Sequence, residues 1–293
     1  MKKTPLLLIV LVSLSLNSCY KRFTEPIEEL WKKVDLQTVF PISNIYAGPQ
    51  ELYIASAGDF VRVDANNEIV ELRQLNTGER VYGRPMLSDH VFARVVRPPQ
   101  SQNKQDIEFH LVRSADKIRS FSSDEIATDV SENLTLESSA RNTGAFNESG
   151  SQYLLPAISA QQTSYSFFLF DIQLNSSKTD FTSVKMTRRI NIPELPPDPD
   201  GIVNMKYING FYYVLAIEGA YRIDPSNGSY KRLFNEWYLD AFAYEGNVYI
   251  TGLSSSNFFR SADNGETWER VPLEMPTQLR HVEVVNNQVI TQP

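Results

Sequence analysis

One thiol, three imidazoles and a few local groupings of carboxylates and aromatic rings are the side chains of this 293-residue chain with chemistry to offer. Cys19 is the single cysteine, and it stands directly after the apolar run from Leu6 to Leu16. A thiol in that position is an acceptor of modification more readily than a buried apolar filler. His90, His110 and His281 lie far apart and lack the short spacings by which two imidazoles share a metal ion. Pro197-Asp198-Pro199-Asp200-Gly201 holds two carboxylates, but its residue types are those of a stiff turn, and a calcium ion needs more oxygens than it supplies. The turns at Asp64 and Asp224 are short of oxygens in the same way. No metal and no cofactor is expected, and there is neither a glycine-rich phosphate loop nor a Gly-x-Ser-x-Gly elbow. Asn235-Glu236-Trp237-Tyr238 is a grouping of another kind. A Trp–Tyr pair beside a carboxylate can stack on a sugar or clamp a peptide; the alternative is rings packed between sheets. Arg84, Asp200 and Arg280 occupy comparable connections, so the candidate ligand-binding set is Arg84, Asp200, Trp237, Tyr238 and Arg280.

The chain start sets a location for any such chemistry. Lys2 and Lys3, a short apolar core, and small or polar residues before Cys19 form an export signal over residues 1–18, too short for a comfortable membrane span. Leu16-Asn17-Ser18-Cys19 resembles a bacterial lipobox, with Asn17 departing from the usual second residue. The resemblance implies a diacylglyceryl thioether and an N-acyl chain, such as palmitate, on Cys19. Two or more chains anchor stably in a bilayer. In lipoproteins an Asp after the cysteine often marks inner-membrane retention; Tyr20 stands there instead, which favours the outer membrane or cell surface. With no second cysteine there is no disulfide, and stability rests on packing. Removing Lys2 and Lys3 takes the formal net charge from −7 to −9, which argues against nucleic acid as a partner and against close adhesion to anionic lipid.

The elements that position these residues read as short strands throughout. Residues 19–29 form a polar tether, and 30–293 a single domain. Glu51–Ala55, Val61–Ala65 and Ile69–Leu72 are β-favouring runs separated by turns; Val203–Tyr207 with Phe211–Leu215, Asp240–Tyr244 with Asn247–Ile250, and His281–Val285 with Gln288–Ile290 are matching pairs. Val91–Val96, Ile107–Val112, Tyr153–Ala157 and Tyr165–Asp171 extend the series, whereas 123–150 is polar and reads as a long excursion. Trp31-Lys32-Lys33-Val34-Asp35-Leu36 repeats the spacing of Trp268-Glu269-Arg270-Val271-Pro272-Leu273. Tyr221-Arg222 precede Phe259-Arg260 by about 40 residues, the period of a propeller blade. Outgoing strands then fall near residues 32, 70, 119, 184, 231 and 269. The fold class is therefore an all-β propeller of six blades, closed by the strand at 30–36 joining the last blade. Seven blades stay open if 123–150 carries strands.

The sharpest local pattern is Ser261-Ala262-Asp263-Asn264-Gly265-Glu266-Thr267-Trp268. Asn and Gly supply positive φ, Ser and Asp oxygens accept from nearby backbone N–H groups, and Trp268 packs back onto the hairpin, its indole N–H needing an acceptor if buried. The pattern resembles the Asp-box, or BNR repeat, of sialidase-like and photosystem-assembly-factor-like β-propellers, through Ser261, Asp263, Gly265, Thr267 and Trp268. In that family the box joins the third and fourth strands of a blade and lies away from the active site. Val112-Arg113-Ser114-Ala115-Asp116-Lys117 is half a box. The sialidase catalytic set implied by the family is not matched: Gly83-Arg84-Pro85 and Arg188-Arg189-Ile190-Asn191 are the nearest pieces to its Arg-Ile-Pro motif.

The function expected on these grounds is a non-catalytic binding or assembly propeller, a lipoprotein of the bacterial cell envelope. It is expected to be monomeric, with an envelope protein or an extracellular glycan as partner and the membrane reached through Cys19. The alternative is a divergent glycoside hydrolase or lyase acting on extracellular glycans, since paired carboxylates are recognised by geometry rather than sequence.

Overall fold

The computed structural model describes residues 42–47, 52–56, 59–63, 69–74, 80–87, 92–97, 107–111, 117–121 and 134–135. It then describes 144–271 apart from 160–164, 179, 197–200 and 254–257, and finally 281–285 and 288–292. All regular structure in these residues is strand, and neighbouring strands pair antiparallel.

Six sheets follow one another along the described residues. The first runs in the order β1 (Ile42–Ala47), β2 (Leu52–Ser56), β3 (Asp59–Val63) and β4 (Ile69–Gln74). The second is β5 (Arg80–Leu87), β6 (Phe92–Arg97), β7 (Ile107–Leu111) and β8 (Lys117–Phe121). In the third, β9 (Leu134–Thr135) and β10 (Ala145–Phe146) both pair with β11 (Gln152–Ser159), followed by β12 (Tyr165–Leu174) and β13 (Phe181–Ile192). The fourth is β14 (Ile202–Ile208), β15 (Phe211–Ala216), β16 (Gly219–Ile223) and β17 (Tyr230–Phe234). The fifth is β18 (Tyr238–Tyr244), β19 (Asn247–Gly252), β20 (Phe258–Ser261) and β21 (Glu269–Arg270). β22 (His281–Val285) and β23 (Gln288–Gln292) make the last.

The first strand of each sheet lies beside the first strand of the next: β5 by β10, β10 by β14, β14 by β18 and β18 by β22, with β1 in contact with both β5 and β22. Four-stranded meanders set around an axis lined by their first strands are the architecture of a β-propeller. The core sits between sheets, as face-to-face packing requires. Phe167, Leu169 and Ile190 of the third sheet meet Met205, Tyr212 and Tyr221 of the fourth. Tyr213 and Leu215 of the fourth meet Tyr238, Ala241 and Ile250 of the fifth. Phe242, Tyr249 and Phe258 of the fifth meet Val282 of the last. Most of the chain's aromatic side chains in the described residues are spent on these layers.

Turn chemistry fixes the register. Asn209-Gly210 and Glu245-Gly246 join first to second strands in two-residue loops, and all four residues have positive φ. That is the type I′ geometry whose twist matches the flanking strands. Expected outgoing strands at 70, 119, 184, 231 and 269 fall in β4, β8, β13, β17 and β21. Within the excursion 123–150, the described strands β9 and β10 both pair with β11 of the third sheet. Residues 42–47 and 80–87, unassigned from the sequence, are the first strands of their sheets. Register shifts before Asn44 and between Tyr82 and Met86 interrupt the alternation that would have revealed them. The signal at 1–18, the tether at 19–29 and the closing strand at 30–36 lie outside the described residues.

Candidate functional site

Three consecutive first strands carry charge into the interior. β14 and β18 each have a register shift, between Ile202 and Asn204 and between Tyr238 and Asp240. A bulge turns the following side chain off the ordinary alternation, and here it brings Asn204 and Asp240 together. Asn204 Nδ2 donates to Asp240 Oδ1 at 2.7 Å. Lys206 Nζ lies 2.8 and 2.9 Å from the two oxygens of the same carboxylate, 3.0 Å from Glu283 Oε1, and donates to the Val282 carbonyl at 2.6 Å. The backbone N–H groups of Ala241 and Val282 also donate to Asp240, at 2.7 and 2.5 Å. Asn204 and Asp240 are 1% exposed, Lys206 5% and Glu283 6%. Charges so far from water persist when paired and hydrogen-bonded. One ammonium and two carboxylates thus join the fourth, fifth and last sheets along the axis. Asn204 Oδ1 is buried and accepts no hydrogen bond from the described residues.

A second feature lies at the end of the fifth sheet where the chain passes between sheets. Tyr238 pairs with Gly252, so Trp237 and Leu253 stand next to one another just beyond the end of that strand pair. They are the exposed large apolar side chains of the described residues, at 39% and 38%. Asn235 and Glu236 beside them are exposed, as is Glu218 in the fourth sheet's β15–β16 turn. Ala220 pairs with Phe234, which sets Glu218 at the same end. Arg232 stands at this end too: its guanidinium donates to the Glu218 and Phe234 carbonyls at 2.6 and 3.4 Å and lies over the Tyr221 ring.

The opposite end of the fourth and fifth sheets carries the 261–268 turn. Ser261 Oγ donates to Asp263 Oδ1 at 2.7 Å and accepts from the Gly265 N–H at 2.7 Å. Asp263 accepts from the Thr267 N–H at 2.8 Å and from its hydroxyl at 2.6 Å. The Thr267 hydroxyl, the Thr267 N–H and the Ser261 hydroxyl together hold the Asp263 carboxyl well below the usual range. Asn264 and Gly265 both have positive φ. The turn is docked on the neighbouring sheet. Tyr213 and Arg222 donate to the Asn264 carbonyl at 2.8 and 2.5 Å, Asn209 to the Asn264 side chain at 2.9 Å, and Glu266 pairs with Arg222 and Lys231. Trp268 packs with Phe234 and Phe259, and its buried indole N–H finds no acceptor among the described residues.

Of the residues singled out in the sequence, the structure separates Trp237 from Tyr238. Trp237 faces solvent; Tyr238 is 1% exposed, in the core between the fourth and fifth sheets. Burial, and after it the Glu236 carboxylate, pushes the Tyr238 phenol up to about 12. Arg84 lies on β5 within its shifted stretch. Cys19, Asp200 and Arg280 lie outside the described residues. No group of three or more His, Cys, Asp or Glu able to hold a metal ion occurs among the described residues. Asn204, Lys206, Asp240, Glu283 and Leu253 escaped the sequence reading. The signal was present for four of them: a charged or amide residue inside an otherwise apolar strand, as in Val282-Glu283-Val284, is costly to bury unless a partner waits across the axis.

The sequence matches no protein-family model and no curated protein at a significant level. Solved structures of similar chain course do exist. A streptogramin B lyase is 11% identical with a TM-score of 0.48, over 87% of this chain and 92% of that one. YCF48 from Cyanidioschyzon merolae is 13% identical with a TM-score of 0.48, over 90% and 82%. PorZ of Porphyromonas gingivalis, a bacterial surface component of a type-IX secretion system, is 9% identical with a TM-score of 0.41; this chain spans 36% of its length.

Proposed function

We propose that this chain is a non-catalytic binding or assembly propeller of the bacterial cell envelope, six-bladed, with an Asp-box in its fifth blade and a lipid anchor on Cys19. One observation carries the non-catalytic part. Among the described residues, the carboxylates that reach the axis, Asp240 and Glu283, are held by Lys206, and Asp240 also by Asn204 and two backbone N–H groups. A general acid or nucleophile needs a carboxyl that can meet substrate and change protonation; these are consumed in joining strands. The anchor rests on Lys2, Lys3, the apolar run and Cys19.

The test is photo-crosslinking of the full chain in its native cells from single positions around both ends of the ring, with identification of what is captured. A discrete envelope protein or glycan, captured from one end only, is the expected result. No capture from any position, or turnover of an extracellular glycan that a single carboxylate substitution abolishes, would overturn the reading and in the second case favour the glycoside hydrolase or lyase. Mass spectrometry of the N-terminal peptide checks the anchor: acylated Cys19 is expected, and an unmodified thiol removes that part.

A further inference from the structure

Asn-Gly occurs at Asn209-Gly210, Asn227-Gly228 and Asn264-Gly265, each time in a hairpin turn of the fourth or fifth sheet. The dipeptide is a turn former and also a labile one. The glycine nitrogen can attack Cγ of the preceding asparagine, because glycine puts no side chain in the way. A bond forms from Gly N to Asn Cγ and the Cγ–Nδ2 bond breaks. The side-chain nitrogen leaves as ammonia, taking up the proton that the glycine N–H gives off. Water then opens the cyclic imide at either carbonyl, leaving aspartate or isoaspartate. The reaction needs water as its co-reactant and no oxidant.

The fold treats the three pairs differently. Attack needs a free glycine nitrogen and an asparagine side chain able to swing over it. At Asn264-Gly265 the Gly265 N–H donates to Ser261 Oγ at 2.7 Å, and the Asn264 carbonyl accepts from Tyr213 and Arg222. Gly265 is buried, and Tyr213 and Trp268 stand 3.3 Å from the point a Cβ would occupy. At Asn227-Gly228 the Gly228 N–H donates to the Asp224 carbonyl at 2.8 Å. Asn227 Nδ2 donates to the Asp224 carboxylate at 2.9 Å, and its Oδ1 accepts from the Ser229 N–H at 2.7 Å. Arg188 Cδ lies 2.8 Å from the Cβ point of Gly228. At Asn209-Gly210 both residues are exposed. The Gly210 N–H makes no hydrogen bond among the described residues, and nothing lies within 4 Å of its Cβ point. Among the described residues the Asn209 side chain is restrained by its exposed bond from Nδ2 to Asn264 Oδ1, at 2.9 Å. We infer that Asn209-Gly210 is a site of spontaneous deamidation in the folded protein, while Asn227 and Asn264 are protected by the bonds of their own turns. The product acts on the neighbouring sheet. Asn209 Nδ2 is the donor that clasps Asn264, and a carboxylate in its place has no proton to give. Isoaspartate also adds a carbon to the main chain inside a type I′ turn. Reaction at Asn209 therefore loosens the stapled turn of the fifth sheet from the fourth.

The test is peptide mass spectrometry of the full chain aged in warm, mildly alkaline buffer, folded in one arm and in urea in the other. In urea the three sites share one chemistry and should convert at similar rates. In the folded arm Asn209 should convert while Asn227 and Asn264 lag by about tenfold or more, since further hydrogen bonds must open at each of them first. S261A frees the Gly265 N–H and should speed Asn264 while leaving Asn209 unchanged. N209D copies one product and should also speed Asn264, by removing its clasp. Ageing each variant below its own melting temperature keeps the comparison within the folded state. Folded protein in which Asn209 stays intact, or in which Asn227 or Asn264 keeps pace with it, would overturn the proposal. An Asn264 rate unmoved by S261A would overturn the account of its protection, and one unmoved by N209D the link between the sheets.

Discussion

Two polar networks join the fourth sheet to the fifth, and they differ in almost every physical respect. The inner one, Asn204, Lys206, Asp240 and Glu283, is buried on the axis and continues into the last sheet. The outer one, Asn209, Tyr213, Arg222 and Lys231 against Asn264 and Glu266, lies at the far end and is largely wet. The inner network uses few groups, each with several partners, because a charge removed from water must recover its hydration from the protein. The outer one gains its geometry from a turn that is first stapled within itself, by Ser261 and Asp263, and only then presented to a neighbour. The inner contacts decide whether the sheets can sit together at all; the outer ones decide where one turn points.

The largest effect should come from unpairing the inner charges. Lys206→Met leaves Asp240 and Glu283 buried without their cation, and a loss of about 3–5 kcal/mol is expected from urea denaturation, the usual cost of breaking one partner out of a buried pair. The double variant K206M/D240N should recover much of that, because the residual buried charge falls; a double-mutant cycle measures the coupling. Additive losses would show that the network is not one unit. The next largest effect belongs to the stapled turn. Ser261 is buried, and S261A removes the acceptor of the Gly265 N–H, so a loss of about 1–3 kcal/mol is expected. Ser226 occupies the corresponding turn of the fourth sheet, where its hydroxyl donates to Asp224 at 2.6 Å in solvent. S226A should cost less than S261A in the same measurement.

The stapled turn on which the outer network is built was far more legible in the sequence than the inner network, and the reason is locality. Ser261, Asp263, Gly265 and Thr267 interact over two to four residues, so their spacing states their geometry. The strand pairs at 203–215 and 240–250 were equally plain, because alternation and a two-residue Asn-Gly or Glu-Gly turn are local properties. Asn204, Lys206, Asp240 and Glu283 span 80 positions and meet only once three sheets have closed round an axis. The bulges that aim Asn204 and Asp240 leave no residue-type signature. For the same reason Trp237 and Tyr238 looked like one aromatic pair, although strand alternation sends one ring into the core and the other to solvent.

The smallest effects test whether the outer network is held by geometry or by charge, and acid separates the two. Asp263 is lowered by its hydrogen bonds from Thr267 and Ser261. Glu266 is lowered first by its hydrogen bond from Lys231 and then by Arg222. Both folded values lie below the unfolded ones, near 4. Each group therefore contributes stability that is fully present above its unfolded value and disappears as pH falls through the folded value. Asp263→Asn should be less stable than the parent at neutral pH, and the two denaturation midpoints should converge as pH drops below about 4. Salt should leave that difference nearly intact, since the bonds to Thr267 and Ser261 are short and local. Glu266→Gln should show a smaller deficit at neutral pH, and added salt should erase most of it, because an exposed ion pair is screened where a stapled turn is not. If the Asp263 deficit vanished with salt and the Glu266 deficit survived it, the outer network would be an electrostatic contact after all, and the distinction from the inner one would have to rest on burial alone.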